Sequence, residues 1–119
     1  MNKELKQEWV NALRSGKYEQ CHETLKCNGR FCALGVLGDI LERYEEDFTL
    51  FDENEDTAFW EWNGTEGASE GRLPTKLINK YDMTYDDQYF ISNMNDGSGE
   101  FRGNPKSFTE IADWIEENL

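Results

Sequence analysis

The stretch 27-CNGRFCALGVLGDIL-41 constrains the fold more than any other part of the chain. An Asn-Gly pair leads into a run in which Asp39 is the one charged residue between Phe31 and Leu41. Phe31, Leu34, Leu37, Leu41 and Tyr44 recur at helical spacing, and Ala33, Val36 and Ile40 widen the stripe. The spacing predicts a helix over residues 31–44. A helix apolar over most of its circumference must lie at the centre of a domain. Gly35 and Gly38 weaken it by roughly 1 kcal/mol each relative to Ala. They make sense where another element packs close against the helix axis.

The remaining signals place shorter elements around that helix. Leu5, Trp9, Ala12 and Leu13 share one face of a helix over residues 3–15, with Gly16 at its C-terminal cap. Asn28-Gly29 predicts a tight hairpin within residues 23–32. The stretches 48-FTLF-51 and 58-AFWEW-62 read as a second strand pair. Pro74 opens a short helix ending near Tyr81. Thr84 with Asp87, and Ser107 with Glu110, have the spacing of capping boxes for helices over residues 84–95 and 108–118. The expected fold is α+β: a mostly helical single domain over residues 1–119, with a central buried helix and one or two small antiparallel β-ribbons. A chain of 119 residues can bury such a core without disulfides or metal.

The net charge of −13 is unevenly spread. Residues 39–70 hold one basic group, Arg43, and twelve acidic ones, whereas residues 1–38 are slightly basic. That field repels nucleic acid and anionic membranes and attracts basic proteins. It makes Glu45, Glu46, Asp47, Asp52, Glu53, Glu55 and Asp56 an expected acidic partner surface, with solubility as the plainer reading. Neither a secretory leader nor a membrane-length apolar run is evident, so a cytoplasmic protein with reduced thiols is expected. On that expectation the sequon Asn63-Gly64-Thr65 is a chance match.

Motifs that carry chemistry are weak. Cys21, His22, Cys27 and Cys32 are nominally enough ligands for one zinc ion, but they lack the close cysteine pairs of fingers and ribbons. Cys32, on an apolar helix, reads better as a small core residue. His22, the sole histidine, would need a thiol partner and a third orienting group to act as a base. Asp52, Asn54 and Asp56 mimic the start of a calcium loop, yet Thr57 and Asn63 stand where Gly and a bidentate Glu are required. Paired carboxylates say nothing without geometry in a chain with 25 acidic residues. No cofactor and no enzymatic activity are therefore expected. The turn 14-RSGKYEQ-20 offers Arg14, Lys17, Tyr18 and Gln20, and with Asn95 and Asp96 it is expected to line a site for a polar or anionic ligand. Arg30 is expected as a further anion-binding residue. The plainer reading makes both segments helix-stop loops.

Taken together, Trp9, Ala12, Leu13, Ser15, Gly16, Tyr18 and Gln20, followed by Phe31, Cys32, Leu34 to Leu37 and Asp39, give the chain a recognisable likeness. It resembles a family of small bacteriophage and prophage proteins without an assigned activity. The likeness continues through Leu73-Pro74, Asn95-Asp96-Gly97 and Ser107 to Glu116. Ala33 and Gly38 stand where such proteins often carry further cysteines, and residues 101–106 look like an insertion. The resemblance implies a phage-type origin and supplies no catalytic residues. Two functions follow as expectations. The first is a non-catalytic accessory protein that binds and modulates a host or phage protein with a basic surface, as in counter-defence or DNA mimicry. The alternative is a protein that sequesters a nucleotide signal, with Tyr18, Trp60 and Trp62 to stack on a base and Arg14, Lys17 or Arg30 to hold phosphate.

Overall fold

The computed structural model describes residues 1–52, 58–62 and 71–119. Its elements in chain order are α1 (Lys3–Arg14), β1 (Lys26–Cys27), β2 (Arg30–Phe31), α2 (Ala33–Leu41), β3 (Phe48–Asp52), β4 (Ala58–Trp62), α3 (Thr75–Lys80), α4 (Tyr85–Asp96), a 3₁₀ turn (Gly99–Phe101) and α5 (Phe108–Asn118). The class is α+β and mostly helical, as the periodicities predict.

Helix α2 is the central element, and every residue in it except Asp39 is buried. It is shorter than its apolar stripe at both ends. Phe31 belongs to β2, where its N–H donates to Glu19 O at 2.8 Å. Cys32 then adopts an extended conformation and caps the helix, its Sγ accepting the Gly35 N–H at 3.3 Å. At the other end, N–H groups of Arg43 and Tyr44 turn back three residues to Ile40 and Leu41, which closes the helix. Against α2 pack α1, which brings Leu5, Trp9, Val10 and Leu13 to the core, and α4, which brings Ile91 and Met94, while α5 adds Ile111, Ala112 and Ile115 to the same core from its place against α1 and α4. Full burial of each large side chain contributes about 2 kcal/mol. The Trp9 indole is fully buried and donates to Ala33 O at 2.9 Å, so its one polar atom is satisfied.

Gly35 explains itself. A Cβ there would stand 1.8 Å from the Leu25 carbonyl oxygen. The same oxygen accepts the Cys32 N–H at 3.0 Å, so the segment before β1 lies directly on the first turn of α2.

The hairpin turn has positive φ at both Asn28 (51°) and Gly29 (76°), as a two-residue turn of this hand requires. It pairs Lys26 with Phe31 and Cys27 with Arg30. The second ribbon runs in register from Phe48↔Trp62 to Asp52↔Ala58. A pairing of Lys26 with Ala58 fuses the two ribbons into one four-stranded sheet of order β2-β1-β4-β3. Both capping boxes are present, and Gly97 ends α4 in the left-handed conformation. Between α3 and α4 lies a contact that no local signal announces. The buried Gln88 amide accepts from Leu73 N at 2.6 Å and donates to Leu73 O at 3.2 Å, tying the entry to α3 onto α4.

Candidate functional site

The turn after α1 and the end of α4 do meet, as the polar residues there suggest, but they close on each other. Gln20 Nε2 donates to Asn95 Oδ1 at 2.9 Å and to Lys106 O at 2.8 Å. Asn95 is 1% exposed. Its Oδ1 also accepts from Ala33 N (3.1 Å), and its Nδ2 donates to Cys21 O and Asp96 Oδ1, both at 2.9 Å. All the usual partners of a buried amide are thus supplied by the protein. Asp96 further accepts from Glu23 N at 2.9 Å and so holds Glu23 at φ 70°. Arg14 lies 2.6 Å from both Asp113 and Glu116 and staples α1 to α5. Arg14, Gln20, Asn95 and Asp96 therefore act as clamps of the fold. Arg30 is exposed on β2.

Lys17 and Tyr18 open instead onto a different concavity of about 350 Å³, lined by Glu8, Asn11, Ala12, Ser15, Lys17, Tyr18, Ile40 and Arg43. The Tyr18 hydroxyl donates to Asp39 Oδ2 at 2.5 Å, and its ring meets Phe31 edge-on at 5.1 Å. Burial, followed by the bond to Asp39, pushes the Tyr18 phenol up to about 12. Glu8 accepts from Arg43 at 3.2 Å and from the Tyr44 hydroxyl at 2.6 Å. Sequence reasoning missed Glu8, Asn11 and Arg43. A signal existed, because Glu8, Asn11, Ala12 and Ser15 recur at helical spacing along α1 and its cap. Arg43 reaches them only through tertiary packing.

Of the expected acidic surface, Glu46 and Asp47 are exposed. Glu45 is a correction, because it points inward. It is 8% exposed and accepts two bonds from Lys80 Nζ (2.8 and 3.0 Å) and one from the Tyr81 hydroxyl (2.5 Å), with the Trp62 side chain as a further donor. Burial alone would raise its pKa, but these donors outweigh burial and hold it below the usual carboxylate range. Asp52 ends β3. Glu53, Glu55 and Asp56, most of the calcium-like loop and the sequon at residues 63–65 lie outside the described residues. Trp62 is half-buried and packs on the core.

The thiols do not converge. Among the described residues no three His, Cys, Asp or Glu side chains are placed to hold a metal ion. Cys21 and Cys32 are buried, Cys27 is half-buried and His22 is exposed. Burial pushes the Cys32 thiol up to about 12, although the Gly35 N–H partly offsets it. It also raises Cys21. Both are poor nucleophiles at neutral pH.

Among the described residues no helix is long and apolar enough to cross a membrane. No curated protein and no solved structure matches the chain. A family model does match, over residues 1–119, and the chain belongs to that family, described as Domain of unknown function (DUF8296).

Proposed function

We propose that this is a non-catalytic binding protein of phage type, which engages a host or phage protein with a basic surface through the acidic stretch that follows α2. One observation carries the reading. Residues 39–70 contain a single cation, Arg43, and it pairs with Glu8 of α1 at 3.2 Å, while Glu46 and Asp47 stand exposed. Glu46 and Asp47 therefore present their charge to solvent, with no further cation within the segment's sequence to offset it. Such fields steer basic partners and raise association rates, and salt weakens them.

Capture from bacterial lysate tests this. The tagged protein should retain a basic partner at low salt and release it near ~0.5 M salt, where screening is short-ranged. A variant carrying Glu46→Gln, Asp47→Asn, Glu53→Gln, Glu55→Gln and Asp56→Asn should not retain it. Retention by this variant, or at high salt, would sink the reading.

The open concavity favours a second reading, a protein that sequesters a nucleotide. Its lining includes the cations Lys17 and Arg43, the latter paired with Glu8, together with Tyr18, Ala12 and Ile40. A ligand that binds only the folded state raises the melting temperature. Linear and cyclic nucleotides should do so for the native chain and not for Lys17→Met. Flat melting curves across the set would remove this alternative.

A further inference from the structure

Tyr85 and Tyr89 are the exposed large hydrophobic side chains among the described residues, at 50% and 48%. They stand one turn apart on α4, with ring centroids 6.3 Å apart and planes 20° from parallel. The core does not need them, because α4 packs inward through Gln88, Ile91, Ser92, Met94 and Asn95. Paired rings left half in water carry a large unburied contact area, of the kind that concentrates in recognition surfaces.

Two further observations say what would cover them. Arg72 already lies over Tyr89, its guanidinium carbon 5.6 Å from the ring centroid and its Nη1 donating to Ser92 Oγ at 2.9 Å. Tyr89 thus already meets a guanidinium within the chain itself. Residues 81–90 also hold Asp82, Asp86 and Asp87 and no Lys or Arg, and the exposed Asp82 and Asp86 lie three residues before Tyr85 and Tyr89 respectively in the sequence.

We propose that the Tyr85–Tyr89 pair is an arginine-selective contact point, at which a basic partner protein lays an arginine side chain across Tyr85 and pairs it with Asp86 or Asp82. This rests on the basic-partner reading above and gives it a local address. Arginine fits better than lysine because its planar guanidinium stacks on a ring while its edge donates to a carboxylate. The net charge of −13 supplies the long-range complementarity.

Two peptides of equal length and charge test it, one alternating Gly with Arg and the other Gly with Lys, each titrated at low salt with NMR detection of the tyrosine rings. The arginine peptide should bind about threefold tighter or more and shift the Tyr85 and Tyr89 resonances. The double variant Tyr85→Ala, Tyr89→Ala should bring both peptides to the lysine level. Tyr85→Phe with Tyr89→Phe, which keeps the rings, should preserve the preference. Equal affinities, or a preference that survives the double alanine variant, overturn the proposal. If both peptides still bind in a salt-sensitive way, the basic-partner reading stands without the tyrosines. If neither binds, both readings fall. A dimer seen by sedimentation and lost in the double alanine variant would assign the surface to a second copy of the chain, which also overturns the proposal.

Discussion

The carbonyl oxygen of Leu25 occupies the space that a side chain on Gly35 would need, 1.8 Å from where its Cβ would stand. Gly35→Ala must therefore separate the β1 approach from α2 and disturb the Leu25–Cys32 bond. A loss of about 3 kcal/mol is expected, at the upper end for overpacking, read as a lower urea midpoint. Gly16→Ala is the control. Its site is open, and only its φ of 76° opposes the change, so about 1 kcal/mol is expected. Equal losses at the two sites would contradict the close approach at Gly35.

Asn95 joins the N-terminus of α2, the turn before β1 and the end of α4 through four hydrogen bonds. Asn95→Leu strands the Ala33 N–H and the Cys21 carbonyl in a buried site and should cost about 3 kcal/mol. Gln20→Ala removes one partner of that amide and leaves the rest, so about 1 kcal/mol is expected. Thermal unfolding of both variants checks the ranking. If Asn95→Leu were as stable as the native chain, the amide would be no clamp.

Glu45 links stability to pH. Its folded-state pKa is depressed, burial being outweighed by Lys80 and Tyr81. The stabilisation it gives is therefore present above its unfolded pKa of about 4.3. It is lost as pH falls through the lower folded value. Glu45→Gln should destabilise the chain near neutral pH and matter less at about pH 3. Denaturant midpoints for the two chains at both pH values give the comparison. A constant gap between them would show that the carboxylate charge is not what holds Lys80 and Tyr81.

The thiols should separate by access. Cys27 is half-buried, whereas Cys21 and Cys32 are buried and raised. In the native state a thiol reagent should modify Cys27 quickly and the other two slowly, and all three at similar rates in denaturant. Mass spectrometry of the modified peptides identifies the order. Fast native labelling of Cys32 would mean that the N-terminus of α2 opens readily.

Local physics decided much of the architecture. The near-continuous apolar run over residues 31–41 called for a buried helix, because a helix apolar over most of its circumference must be covered on all sides. Asn28-Gly29 required a tight turn, because both positions tolerate positive φ. The Ser107–Glu110 and Thr84–Asp87 pairs marked two helix starts, because their side chains satisfy N–H groups left over at a helix end. Packing decided what no window of sequence holds. It turned Glu45 inward, because Lys80 and Tyr81 lie beside it only after α3 docks. It made Asn95 and Gln20 a clamp where a pocket was expected, since their partners come from three separate segments. It assembled the concavity from Lys17, Tyr18, Glu8 and Arg43, and it left Tyr85 and Tyr89 outside the core. Hydrophobic period and capping act within a turn or two of the chain, so sequence carries them. Which polar group meets which depends on distances across the fold, and only the packed tertiary structure sets those.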